Sequence, residues 1–435
     1  MKKHLFPLFV LLLLTVGCKN SVRQGPQSFD YQPDLEAMGI EAEQIQALDS
    51  VLQSFVDAQK LNCLAAFAAK GGKVFYHKAF GWKDLENRVP ASVEDYYVLF
   101  SQTKAITTVA FMTLVEQGLV AIDDKVADYF PEIPDRVVTK VNEDGSYESR
   151  PVETPMTFVH LMSHTSGLNA GLVGAIKHAE RAQMRKAGTA SGAEAGQRSF
   201  ETDPRSGTLE DEMIKLANYP LGFDPGSEWN YHISTNMLAY MVERISGKPL
   251  RQYVKENILE PLGMNHTDWY YSGEALERFV LPGSIVEGKL VAGTDMFARG
   301  AVSQQQSYCE GAIGLNGPIE DYAKFCQMML NKGEFNGRRI LKPETVELMT
   351  GINRLPEKNA GGRSFQFGLG FELYNASKKP VPAVSNTAYA WGGMLGTEYI
   401  IDPENDLIVL YYTNMFGNER LYPVYLAAVY ELFLP

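Results

Sequence analysis

The apolar positions of this chain change period several times along its length. Between Leu35 and Gln59, Ile45, Leu48, Leu52 and Phe55 recur three and four residues apart, which predicts a helix with one buried face. Cys63 to Ala69 and Lys73 to Phe80 are short, apolar and partly alternating, and flank Gly71-Gly72, a hairpin signal. From about Ser101 to Met349 helical patterns dominate, among them Ala105 to Glu116 and Thr235 to Ile245, joined by Gly/Pro turns. Near the C-terminus, Thr397 to Ile401 and Leu407 to Tyr412 read as strands around a Pro403–Asp406 turn, and Tyr422 to Leu434 as a closing helix. Strands at both ends with helices between predict a mixed α/β fold. One sheet is built from both termini, helices flank it, and a helical lobe is inserted.

The first residues follow a different logic. Lys2 and Lys3 precede an apolar run from Leu5 to Val16, the pattern of an export signal, and Leu14-Thr15-Val16-Gly17-Cys18 resembles a bacterial lipobox. The expected organisation is a signal peptide over 1–17, a lipidated polar tether over 18–33 starting at Cys18, and one catalytic domain over 34–435. That places the protein in the cell envelope, held to a membrane by lipid. A net charge of −12 speaks against a nucleic-acid surface, which needs clustered positive charge. Besides Cys18 there are Cys63, Cys309 and Cys326, with no Cys-x-x-Cys pair, so buried thiols are expected rather than a disulfide framework or a zinc site. Ala170 to Leu209 holds a basic stretch and then Gly, Ala and Ser, a composition that suits either a lid over a site or a surface loop.

Three stretches carry candidate chemistry. Ser101-Gln102-Thr103-Lys104 opens a predicted helix, where residues three apart share a face, so the Lys104 amine can reach the Ser101 hydroxyl. A serine hydroxyl becomes a useful nucleophile when a nearby base takes its proton. Pro225-Gly226-Ser227-Glu228-Trp229-Asn230-Tyr231 delivers a phenol ahead of a helix; near an ammonium, Tyr231 is a candidate partner base. Trp391-Gly392-Gly393-Met394 precedes the Thr397 strand, and its glycines either let a ligand approach the backbone or mark a bulge beside a core tryptophan. His160 and His164 are four apart with no third ligand, so capping or packing is expected of them rather than metal binding.

Taken in order, the three stretches resemble the serine β-lactamase and penicillin-binding-protein superfamily on its class C side. Gly81-Trp82-Lys83-Asp84, His164-Thr165-Ser166-Gly167-Leu168 and Asp402-Pro403 fit as well. The resemblance implies Ser101 as nucleophile, Lys104 and Tyr231 as its bases, Trp391 as a substrate wall with Gly392 and Gly393, and the Ser101 and Met394 amides as the oxyanion hole. It implies no metal and no cofactor. Two departures stand out. The second motif is usually Tyr-x-Asn, but here Ile233 follows Tyr231-His232, and Trp391-Gly392-Gly393 carries no cation where the superfamily normally holds a Lys or His. Both oppose an efficient lactamase and resemble family VIII carboxylesterases and a related fungal acyltransferase. The expected partners are a small ester or amide substrate and an alcohol acceptor such as a sterol. The alternatives are a β-lactamase or D-Ala peptidase acting on cell-wall peptides, and a non-catalytic envelope-binding lipoprotein.

Overall fold

The computed structural model describes residues 25–186, 207–293, 308–356, 366–374, 379–415 and 421–433. Cys18, the signal segment and much of the 170–209 segment lie outside these residues. Helix α1 (Ala42–Asp57) precedes β1 (Cys63–Lys70), β2 (Lys73–Asp84) and β3 (Val89–Pro90). Helices α2 (Thr103–Glu116), α3 (Ser234–Ser246) and α4 (Ile319–Leu330) belong to the inserted part. The chain returns through β4 (Gln366–Phe367), β5 (Glu372–Leu373), β6 (Tyr389–Gly393), β7 (Thr397–Asp402) and β8 (Leu407–Tyr412), and ends on α5 (Leu421–Glu431). The eight strands form one sheet in the order β4-β5-β6-β7-β8-β1-β2-β3. Every pairing in it is antiparallel, and β1 from the N-terminal part pairs β8 from the C-terminal part, Ala65 opposite Tyr412 and Lys70 opposite Leu407.

Period-two alternation explains why the central strands read as unbroken apolar runs. Cys63, Ala65, Phe67 and Ala69 face one core with Ile408, Leu410 and Tyr412; Leu64, Ala66 and Ala68 face the other with Leu407, Val409 and Tyr411. The first core holds α2, α3 and α4; the second holds α1 and α5. A sheet covered on both faces leaves no position for a polar residue at its centre. Helix α2 is likewise buried from Thr103 through Leu114, so it shows no polar stripe.

Some boundaries differ from the sequence pattern. The helix expected over Leu35–Gln59 begins only at Ala42, because Gly39 adopts the left-handed region at φ 76° and a Glu41/Gln44 capping box starts the helix proper. The inserted part also carries hairpins that its helical patterning hid, such as Arg136–Val141 with Tyr147–Pro151 and Gly283–Val286 with Lys289–Ala292. Within the expected lid, Ala170–Lys186 is a helix. The end of the expected tether lies against the body: Asp30 bridges Lys73, and the Phe29 ring sits 5.2 Å from those of Phe67 and Phe335. Cys63, Cys309 and Cys326 are free, buried thiols.

Asp402 ties α5 to the β7–β8 turn. Its carboxylate accepts from Ser385 N (3.0 Å), Asn405 Nδ2 (2.8 Å) and Tyr430 OH (2.6 Å). Burial alone would push this carboxyl up, but the hydrogen bonds outweigh it and hold the group below its usual range. That stabilisation is therefore present above the ordinary carboxylate range and is lost as pH falls through the lowered folded-state value. Asp402→Asn, which turns a donor toward these donors, is expected to cost about 1–3 kcal/mol at pH 7, and the gap to wild type in denaturation midpoint should narrow in acid.

Candidate active site

Ser101 sits in a 3-10 turn, Phe100–Gln102, that runs directly into α2. Phe100 is held at φ 44°, an unusual value for a bulky side chain, so the backbone beside Ser101 is over-determined by its surroundings. Those surroundings are long-range. Tyr322 OH on α4 donates to Gln102 O (2.9 Å), Tyr412 OH on β8 donates to Gln102 Oε1, and Leu315 N donates to Thr103 Oγ1 (3.0 Å). Strand β6 closes in from another side. A Cβ on Gly393 would lie 2.3 Å from Leu99 O, so only glycine permits this approach of β6 to the serine segment. The β6–β7 register is continuous from Tyr389 to Gly393, so the glycines mark close approach and not a bulge.

Lys104 lies one turn below Ser101 and is 2% exposed. Its Nζ donates to Ser101 Oγ (3.1 Å) and Ala312 O (2.8 Å), and is 3.3 Å from His232 Nδ1. It also lies 4.6 Å from the centre of the Tyr231 ring. Burial pushes the Lys104 amine down to about 7, and Glu310 only partly opposes this. A lysine in that range is present as the free amine in a large fraction near neutral pH, which is what a proton acceptor for serine requires.

Tyr231 is fixed by aromatic neighbours. Trp391 Nε1 donates to its hydroxyl at 2.8 Å, Trp229 stacks at 5.7 Å, and His164 meets it edge-on at 4.7 Å. This N–H fixes the position of the phenol oxygen at the cavity wall. Gly226 N donates to Thr165 O (2.7 Å) and Asn230 N to His164 O (2.8 Å), which docks the tyrosine loop on the His164–Leu168 stretch. His164 is buried and held well below its usual range by burial, Lys104 and His232. His160 accepts from Thr157 N (3.1 Å) as a helix cap, one of the two roles expected of it. Among the described residues no cluster of His, Cys, Asp and Glu could hold a metal ion.

A cavity of about 660 Å³ brings together Ser101, Tyr231, Trp391, Gly392, Gly393 and Met394. The fold thus converges stretches separated by 130 to 290 residues of chain, as the motif order implied. Met394 lies just past the end of β6 with its side chain half-exposed. Ile233 does not line the cavity: it is 2% exposed, caps α3 and joins the apolar core. The sequence reading passed over His232, Glu372 and Glu398, which line the same cavity, and Glu310 and Asn236 behind it. Adjacency to Tyr231 was a signal for His232; nothing local marks the other four, which reach the site through tertiary contacts. A second cavity of about 320 Å³, walled by Met329, Val346 and Tyr389, contains none of these groups.

Residues 48–430 match the family model described as Beta-lactamase. Among curated relatives, the chain is 28% identical over 400 residues to esterase EstB of Burkholderia gladioli, covering 88% of this chain and 93% of that protein. It is 25% identical over 433 residues to a putative D-alanyl-D-alanine carboxypeptidase of Escherichia coli K12, covering 94% and 90%. Its fold is similar to that of EstCE1, a hydrolase with promiscuous acyltransferase activity, with a TM-score of 0.71 and 22% identity over 89% of this chain and 98% of that one.

If Lys104 is the base for Ser101, its lowered amine should make the reactivity of Ser101 pH-dependent. Labelling of Ser101 by a fluorophosphonate should rise as pH increases through about 7, as Lys104 loses its proton. Lys104→Met should slow that labelling about 10²-fold or more across the range, read by mass spectrometry of the labelled peptide.

Proposed function

This chain belongs to the beta-lactamase family and is a serine hydrolase, and we propose that it is a carboxylesterase or transesterase acting on small to medium acyl esters. Ser101 Oγ attacks the ester carbonyl while Lys104, with Tyr231, takes the hydroxyl proton. Amides of Ser101 and Met394 stabilise the tetrahedral oxyanion, a contribution of about 3 kcal/mol per donor. The proton returns to the leaving alcohol as the C–O bond breaks, leaving an acyl group on Ser101. Water, or an alcohol acceptor such as a sterol, then attacks the acyl-enzyme by the reverse of the same steps.

The composition of the cavity wall carries this reading. Trp391, Glu372 and Glu398 line it, and its described lining contains no Lys or Arg. A wall of aromatic rings and carboxylates suits a neutral ester better than a substrate bearing its own carboxylate, because like charges at short range cost free energy. Burial of Ile233 in the core supports the same reading, since the asparagine expected at that position in lactamases has no counterpart in the cavity. The similarity to EstB agrees with it. The relative named as a D-Ala carboxypeptidase favours a second reading, cleavage of cell-wall peptides.

Residues 21–435 should hydrolyse p-nitrophenyl acetate to octanoate, with turnover lost in Ser101→Ala and slow or no opening of nitrocefin. Rapid nitrocefin opening, or release of D-Ala from a peptide with no ester turnover, would move the assignment to the second reading.

Lipid anchoring through Cys18 belongs to the same proposal and is supported by the basic and apolar segments ahead of it. In a bacterial host the full chain should fractionate with membranes and incorporate labelled palmitate, and Cys18→Ala should lose the label. Equal labelling of the two would exclude Cys18 as the acylated residue.

A further inference from the structure

The hydrogen bonds around Lys104 impose a requirement that the serine–lysine–tyrosine set does not meet alone. To take the Ser101 proton, the neutral amine must aim its single lone pair at Oγ. Its two N–H bonds must then point elsewhere, or the amine will donate to the serine it should deprotonate. Among the described residues, two acceptors other than Ser101 stand around Nζ: Ala312 O at 2.8 Å and His232 Nδ1 at 3.3 Å. With both occupied, the third tetrahedral direction, toward Ser101 Oγ at 3.1 Å, is left for the lone pair.

This works only if His232 Nδ1 is the unprotonated ring nitrogen, so that the proton sits on Nε2. Nε2 faces Glu310, whose Oε1 is 3.9 Å away, and a carboxylate there favours a proton on Nε2. Glu310 is placed in turn by Asn236, whose Nδ2 donates to Oε1 (3.2 Å) and whose Oδ1 accepts from Ala312 N (2.9 Å). The circuit closes on Ala312, the residue whose carbonyl holds the other Lys104 N–H. The charged or titratable groups facing the imidazole are Lys104 from α2, His164 and Tyr231 from the docked loops, and Glu310; Glu372 and Glu398 line the cavity it opens into. Burial and Lys104 push the imidazole down to about 4, which leaves it neutral near pH 7. His232 also sits at φ 112°, a backbone value that a non-glycine residue keeps only when its surroundings enforce it.

We propose that His232 is a positioning residue, held in its Nε2–H form by Glu310 and Asn236, that orients the neutral Lys104 amine so that its lone pair faces Ser101. The proposal rests on the reading of Ser101 and Lys104 as nucleophile and base, but not on the identity of the substrate.

The test is the pH dependence of Ser101 phosphonylation by a fluorophosphonate. In that reaction an O–P bond forms at Ser101, fluoride leaves and the proton passes to Lys104. It reports serine reactivity whatever acyl group the enzyme prefers, so ester turnover can fail while this experiment still reads. His232→Leu removes the acceptor and is expected to lower the plateau about 10²-fold. It should also move the acid limb to lower pH, since the ammonium loses an acceptor that stabilised it. His232→Asn, which places an amide oxygen near the Nδ1 position, should recover most of the rate. His232→Gln, polar only at the Nε2 position, should behave as the leucine variant does and replaces it if that variant does not fold. Glu310→Ala should slow the reaction in wild type and add little in the His232→Leu background. A wild-type plateau in His232→Leu or His232→Gln would overturn the proposal. So would equal losses in the Asn, Gln and Leu variants with an unmoved acid limb, or additive effects of Glu310→Ala and His232→Leu.

Discussion

Everything at this site follows from keeping one lysine out of water. Removing an ammonium from solvent costs several kcal/mol even after the protein relaxes around it. The structure meets that cost by weakening the charge itself. Among the described residues Lys104 is surrounded by acceptors and a ring face but by no close carboxylate, and Glu310 acts on it from beyond His232. A nearby carboxylate would keep the amine protonated near neutral pH and leave it no free lone pair for the serine proton. The dry environment comes from α2, buried through three turns, and the acceptors come from the Ala312 loop and the segment ahead of α3.

The sheet serves this arrangement more than it forms it. β1, β8, β7 and β6 lie side by side, so pairing the two ends of the chain carries Trp391–Gly393 toward the N-terminus of α2. There Gly393 allows β6 against Leu99, and Thr397 Oγ1 donates to Leu99 O (3.3 Å). The serine segment is thus gripped by strands from the C-terminal part and by α4 and the Ala312 loop from the insertion. Loss of either support would release the strained turn at Phe100. The same placement lets the Trp391 indole reach Tyr231, joining the third motif to the second through a hydrogen bond and a ring contact.

Departures from the superfamily pattern have physical counterparts. Ile233 is part of the core beside α3 and does not line the cavity. Its neighbour His232 sits at an unusual backbone angle and contacts the Lys104 amine. Where a cation would receive a substrate carboxylate, the cavity presents an indole and two acidic side chains. The serine, lysine and tyrosine of the three motifs are all present around this altered wall.

Local pattern was sufficient for the elements whose geometry is local. The β1–β2 hairpin, the β7–β8 pair and the helices around Ala105 and Thr235 were legible because side-chain period and turn residues are set within a few residues of chain. Ser101 and Lys104 were legible for the same reason, since three residues of helix determine their distance. The pattern failed where a short strand pair hides in a helical stretch and where Gly39 interrupts an apolar face. Tertiary structure alone decided the burial that lowers the Lys104 amine, because that burial is contributed by segments hundreds of residues apart. It alone decided that His232, Asn236, Glu310 and Ala312 meet, because a hydrogen-bond circuit has no period and leaves no mark in any one stretch of sequence.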